Sequence, residues 1–150
     1  MYPENRKMAP RLKQILSVVL LLTGGLIYLL FRPTTLLLFR VAAWIGLTPV
    51  IEEARETVTN RHPDEFLVYC LPNGLWAMAY ILVIDSLLQV HSTGTRLLVG
   101  AIIPLLGAFS ELLQSIGLLR GTFDWLDLAC YMVPYFLYIW ILTQNKQIWI

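Results

Sequence analysis

Four long apolar runs alternate with polar stretches along the chain, at residues 15–31, 66–88, 97–119 and 125–142. A helix rises about 1.5 Å per residue, and about 20 apolar residues cross the hydrocarbon core of a bilayer. Each run reaches or approaches that length. The pattern therefore predicts an all-α integral membrane protein, a four-helix transmembrane bundle in a single domain that covers residues 1–150.

A further apolar stretch, residues 36–51, is shorter, is interrupted by Arg40 and ends near Pro49. Its length favours an interfacial or re-entrant helix, with Trp44 at the level of the lipid headgroups. A complete but poor span is the alternative. The hydrophilic residues 52–65 that follow predict a solvated outer loop or a short surface helix.

The composition agrees with a membrane protein. The chain is 57% hydrophobic and 14% charged, whereas soluble domains average about 25% charged residues. A net charge of +1 gives no basis for binding nucleic acid. Cys70 and Cys130 lie within apolar runs and are expected to be packed thiols, because no spacing framework indicates a disulfide.

Basic residues predict the orientation. Arg6, Lys7, Arg11 and Lys13 precede the first run, and Arg32 follows it. No small-residue cleavage site is present, so the run is expected to remain as a helix. The positive-inside rule then places the N-terminus in the cytoplasm, and four spans return the C-terminus to that side. A crossing by residues 36–51 would reverse every later orientation.

Polar side chains from three runs are expected at one level in the outer half of the bilayer. They are Asn73, Glu111, Gln114, Asp127 and Tyr131 within the runs, and Arg120 and Asp124 at the rim. An ionisable residue in a membrane helix costs about 2.5–3.5 kcal/mol on insertion scales, so such residues point to function. The break at Pro72-Asn73-Gly74 fits a site, because irregular backbone at membrane depth is tolerated beside a wet cavity.

The charged residues allow two further expectations. Glu111 is either a functional carboxylate or half of a pair with Arg120 that joins the third span to the fourth. In both cases we expect the two residues on the same side of the bundle, close enough to pair directly or through water. Asp85 lies near the other end of its span and is expected to face water on the inner side.

Several kinds of chemistry lack a sequence signal. No His or Cys group has metal-ligand spacing, and the chain has neither a serine nucleophile elbow nor a glycine-rich phosphate loop. The sequence therefore predicts no cofactor and no metal.

The C-terminal polar residues resemble a family motif. Glu111-x-x-Gln114 near the end of one run, followed by Arg120, Asp124 and Asp127, is similar to the pattern of the VanZ-like family of small bacterial membrane proteins. Residues 71–74, Leu-Pro-Asn-Gly, are loosely similar to an earlier Phe-x-Pro-x-Gly break of that family.

The resemblance covers roughly residues 66–142. It departs from the family at Tyr131 and Pro134, where family members usually carry Asn and Gly. It implies a place in the bacterial inner (cytoplasmic) membrane and a role in the cell envelope, because the founding member is linked to teicoplanin resistance.

Three functions remain open at this point. In the first, an outward-facing polar cavity binds an envelope lipid, a lipid-linked glycan or a lipoglycopeptide. Arg120 would hold an anionic group through its planar fork of donors, with Asp124 and Asp127 orienting it and Glu111 and Gln114 lining the floor of the cavity. In the second, a membrane enzyme uses Glu111 or Asp127 as acid or base on an envelope lipid. In the third, the chain is a structural subunit of a homo-oligomer or a larger membrane complex, and its polar groups join helices.

Overall fold

The structure, a computed structural model, describes residues 9–58 and 63–144. Those residues form helices and no β-strand. The helices are α1 (Pro10–Phe31), α2 (Leu37–Trp44), α3 (Thr48–Val58), α4 (Leu71–Leu87), α5 (Thr93–Gly100), α6 (Ile102–Ser115) and α7 (Trp125–Gln144), and a π-helical turn, Phe66–Cys70, leads into α4.

Four helical segments are long and apolar enough to cross a membrane. They are Pro10–Phe31, Phe66–Leu87, Thr93–Ser115 and Trp125–Gln144. Large apolar side chains such as Leu22, Leu106 and Trp140 are 63%, 58% and 61% exposed on the isolated chain. Apolar surface on this scale needs lipid or protein to cover it. The predicted all-helical architecture with four span-length segments is confirmed.

Helix α4 is the centre of the bundle, since it packs most extensively against α1 and next against α7, while α6 packs against α7. Small residues allow the close approach of α1 and α4. A Cβ atom at Gly24 would lie 2.6 Å from Trp76 Nε1. The indole N–H of Trp76 donates to the Leu21 carbonyl at 3.3 Å, which fixes the ring against α1.

The third span differs from its predicted bounds of 97–119 at both ends. It begins at Thr93 and bends at Ala101, because Pro104 cannot donate to the Gly100 carbonyl and its ring would clash there. It ends at Ser115, since Gly117 takes a left-handed conformation with φ of 73°. The Leu118 N–H returns to the Leu113 carbonyl at 2.9 Å, as in a Schellman motif.

The predicted helix at 36–51 is two helices. Gly46 has φ of 77°, and the Leu47 N–H bonds to the Ala42 carbonyl, so a second Schellman motif ends α2. Pro49 lies at the start of α3 instead of ending a helix, because the first turn needs no N–H donor. At 8 and 11 residues, neither helix is long enough to span a membrane.

Helix α3 also occupies the first half of the hydrophilic segment 52–65. Residues 52–58 are helical, whereas residues 59–62 lie outside the described part of the chain. The guanidinium of Arg55 donates to the carbonyls of Leu29 and Arg32 at 2.7 and 3.0 Å. This contact holds α3 against the end of α1 and satisfies carbonyls that have no partner within that helix.

Contacts between the helices give an up-down-up-down arrangement with two distinct ends. Lys13 near the start of α1 contacts Asp85 near the end of α4, and Tyr138 in the second half of α7 contacts the same carboxylate. We call this the Asp85 end. Arg32 and Asp127 lie at the opposite end, the Asp127 end. Arg6 and Lys7, on which the orientation partly depends, lie outside the described residues.

Candidate functional site

A cluster of polar side chains occupies the Asp127 end, as the sequence predicts from depth alone. We define the Asp127 cluster as Asn73 from α4, Glu111 and Gln114 from α6, Asp124 from the turn before α7, and Asp127 from its first turn. Hydrogen bonds link its members in two groups, one around Glu111 and one that joins Asn73 to Asp127. The cluster thus draws on three of the four span-length segments.

Glu111 is the most deeply buried member, with 5% of its surface exposed. Gln114 Nε2 donates to its Oε1 at 3.3 Å, and the backbone N–H of Asp124 donates to its Oε2 at 3.4 Å. Both distances are long, because N–H···O hydrogen bonds in proteins usually measure about 2.7–3.2 Å. Among the described residues, Glu111 forms no ion pair. Its carboxylate therefore keeps unused capacity to accept hydrogen bonds.

Asn73 joins the π-helical turn to α7. Its Nδ2 donates to Asp127 Oδ1 and to the Tyr69 carbonyl, both at 3.2 Å. The predicted break at Pro72 is therefore a continuous helix that begins with a π-helical turn, in which the Leu71 N–H bonds to the Phe66 carbonyl. Such turns are frequent at functional sites.

Asp124 has a structural task. Its Oδ1 accepts from the Leu126 N–H at 2.8 Å, so it caps the N-terminus of α7. The expectation that Asp124 orients Arg120 is not supported by this geometry. Asp127, in the first turn of α7, is placed where the helix dipole favours a negative charge.

A direct ion pair between Glu111 and Arg120, one form of the predicted contact, is not observed among the described residues. Arg120 is exposed and pairs with no acidic residue of the described chain. The reason lies in the turn between α6 and α7. Helix α6 ends at Ser115, and Gly121, with φ of 142°, lies directly against the Gln114 side chain, so helical spacing does not extend to Arg120.

Tyr131 lies one turn below Asp127 on α7 and packs against α6. A Cβ atom at Gly107 would come 2.6 Å from Tyr131 Cγ, so the glycine provides the space for the aromatic ring. Tyr131 therefore contributes to the wall between α6 and α7 below the cluster.

Arg32 also lies at the Asp127 end, although the sequence pattern indicates only a basic residue that flanks the first span. Its guanidinium lies over the Tyr69 ring at 4.5 Å and over the Tyr28 ring at 5.4 Å. Its Nε is buried and has no hydrogen-bond partner. The signal was present in the sequence, because Arg32 follows the first span at the same membrane level as the cluster.

The expectation that Asp85 faces water is also wrong. Asp85 is 4% exposed and accepts from Lys13 Nζ at 2.5 Å, from Arg96 Nε at 2.9 Å and from the Tyr138 hydroxyl at 2.7 Å. A second nitrogen of Arg96 contacts the same carboxylate. These four residues, the Asp85 junction, come one from each of the four span-length segments. Burial of the carboxylate is offset by two cations and a hydroxyl.

The two ends of the bundle hold their carboxylates in opposite ways. Asp85 is paired with cations at short distances, which is how a carboxylate is stabilised inside a protein. Glu111 and Asp127 have uncharged donors at 3.2 Å or more. The Asp127 cluster is therefore the better candidate for binding, and the Asp85 junction is a structural connection.

Two grooves adjoin these features. An apolar groove of about 430 Å³ runs along α6 from Ile102 to Leu112, next to Glu111 in sequence. A second groove, about 290 Å³, lies between α2 and α3 and includes Phe39 and Arg55. Neither encloses the Asp127 cluster.

Within residues 9–58 and 63–144, no group of three or more His, Cys, Asp or Glu side chains is arranged to hold a metal ion. No protein-family model, curated protein or solved structure matches the chain.

Proposed function

We propose that the protein is a membrane-embedded binding protein whose Asp127 cluster engages the polar headgroup of an envelope lipid, a lipid-linked glycan or a lipoglycopeptide. The observation that carries the proposal is the state of Glu111, a buried carboxylate with two long hydrogen bonds and no cation beside it. The same chain neutralises its other buried carboxylate, Asp85, with two cations.

The chemistry of the cluster favours ligands that donate hydrogen bonds. Ionised carboxylates only accept, and they bind hydroxyl and ammonium groups more strongly than uncharged acceptors do. Asn73 and Gln114 add amide groups that can both donate and accept. Headgroups and glycans carry donors of these kinds. The apolar groove on α6, the helix that carries Glu111, offers a surface for the hydrocarbon part of such a molecule.

A thermal-stability titration tests this function. Delipidated protein in detergent should be stabilised by an extract of bacterial envelope lipids, by about 2.7 kcal/mol when the ligand reaches a hundred times its dissociation constant. Glu111→Gln and Asp127→Asn remove one charge each without changing shape, and both should lose most of that gain. Glu56→Gln, at an exposed carboxylate on α3, is the matched control and should keep it. Equal gains in all four proteins would refute the proposal.

The orientation is part of the proposal. The protein would lie in the bacterial inner membrane with both termini in the cytoplasm and the Asp127 end outside, as the positive-inside rule predicts. In a variant with Cys70 and Cys130 replaced, a cysteine at position 56 should react with a membrane-impermeant maleimide in intact cells. A cysteine at exposed position 94 should react only after the cells are opened. The reverse pattern would place the cluster inside.

A membrane enzyme is the second candidate, and the same carboxylate favours it. A buried Glu111 without a cation can exchange a proton with a bound substrate. Incubation of the purified protein with envelope lipids, followed by mass spectrometry, would then show a product that the Glu111→Gln variant does not form. Unchanged lipids would leave binding as the function.

A further inference from the structure

Arg32 carries an unused capacity for an anion at the Asp127 end. Guanidinium has five N–H donors in a planar fork and no acceptor. Its Nε is buried without a partner, and among the described residues Arg32 forms no ion pair. Two aromatic rings, Tyr28 and Tyr69, contact the guanidinium through their faces, so neither ring accepts a conventional hydrogen bond from its N–H groups.

Arg32 and the carboxylates share this end of the bundle without neutralising each other. The Tyr69 ring contacts Arg32, the Tyr69 carbonyl accepts from Asn73, and Asn73 also donates to Asp127. An uncharged amide and a phenol ring therefore connect Arg32 to Asp127, and among the described residues no ion pair joins the two. A single ligand that binds both Arg32 and the carboxylates must carry one negative and one positive group joined by a short spacer.

We propose that the ligand of the Asp127 cluster is a phospholipid with a phosphoethanolamine headgroup. Its phosphate would bind the Arg32 guanidinium, which matches phosphate oxygens in a fork geometry. Its ammonium group would bind Asp127 and Glu111. The inference rests on the proposed function and deepens it by naming the headgroup.

The choice of ethanolamine follows from the donors that the carboxylates require. A primary ammonium offers three N–H donors, whereas a quaternary choline offers none. Choline is usually held by the faces of aromatic rings, and Arg32 already covers the Tyr69 and Tyr28 faces. A glycerol headgroup has hydroxyl donors but no positive charge for Glu111 and Asp127.

The test compares three lipids with identical acyl chains and ethanolamine, glycerol or choline headgroups. Each is titrated into delipidated protein in detergent, with binding followed by native mass spectrometry. The ethanolamine lipid should bind at least about tenfold more tightly than the other two, since one charge-assisted hydrogen bond contributes about that factor. Free phosphoethanolamine, without acyl chains, should not compete at equal concentration. Competition at that concentration would mean that a soluble ligand is recognised instead.

Two variants test which residue binds the phosphate and which binds the ammonium group. Arg32→Gln should weaken binding of the ethanolamine lipid about tenfold. Arg40→Gln, at an exposed arginine on α2, should leave that binding unchanged. Asp127→Asn should remove the preference for ethanolamine over choline. Selective binding that Arg32→Gln does not weaken would overturn the phosphate assignment and leave the proposed function standing. If all three lipids bind equally to the wild-type protein, the inference is overturned. If neither these lipids nor the lipid extract bind, the proposed function itself is refuted.

Discussion

Asp85→Ala is expected to lower the free energy of unfolding by about 3–5 kcal/mol, because it strands two cations in a poorly hydrated part of the bundle. Lys13 and Arg96 keep 13% and 16% of their side-chain surface exposed, so water offsets part of the loss and the lower end of the range is expected. The junction joins all four span-length segments, and its loss should weaken the whole bundle. Equilibrium unfolding in mixed detergent micelles measures the change.

Three comparisons isolate the cause. Glu56→Ala removes an exposed carboxylate and should change stability by less than about 0.5 kcal/mol. Tyr138→Phe removes one hydrogen bond to Asp85 and should cost about 1.5 kcal/mol. A triple variant, Lys13→Met with Asp85→Ala and Arg96→Met, should recover part of the loss, since no charge is then left unpaired. If the Asp85→Ala protein is as stable as the Glu56→Ala protein, the Asp85 junction does not stabilise the bundle.

Gly107→Ala is expected to destabilise the bundle by about 1–3 kcal/mol, the usual effect of overpacking. The new Cβ would lie 2.6 Å from Tyr131 Cγ, an atom that rotation of the ring cannot move away. Either Tyr131 changes rotamer or α6 separates from α7. Because Glu111 lies one turn further along α6, we also expect weaker lipid binding. Thermal unfolding in detergent measures the stability.

Gly25 offers a matched control within α1. It is also a helical glycine, but a Cβ atom there would meet nothing within 4 Å. Gly25→Ala should therefore be neutral or slightly stabilising, because alanine favours a helix more than glycine does. Adding Tyr131→Ala to Gly107→Ala should remove the clash and cost less than the two separate changes added together. Equal effects at positions 107 and 25 would show that the contact with Tyr131 does not matter.

The spans follow from the sequence because their length and apolar composition are local properties. The ends of the helices are harder to predict from the sequence. Left-handed glycines at positions 46 and 117 end α2 and α6, whereas Pro49 begins a helix and Pro72 follows a π-helical turn. The sequence pattern predicts a break at both prolines. A proline ends or begins a helix according to whether its missing donor is needed, which depends on where the preceding turn lies.

Part of the candidate site could be predicted from the sequence. Counting residues from the span ends placed Asn73 and Asp127 at one level, and the structure joins them across 54 positions of sequence. The same count could not reveal Lys13 and Tyr138 as partners of Asp85, because they lie 72 and 53 positions away on helices whose rotation no local pattern fixes. It also does not extend to Arg120, because that residue lies in the non-helical turn before α7.

The most direct measurement of the central claim is the lipid that the protein carries from the membrane. Native mass spectrometry would compare the wild-type protein with Glu111→Gln/Asp127→Asn and with Glu53→Gln/Glu56→Gln, which removes two exposed carboxylates of α3. If the Asp127 cluster binds a headgroup, the wild-type and the α3 variant keep a bound amphiphile, and the cluster variant loses it while remaining folded. Equal occupancy in all three proteins would contradict the account.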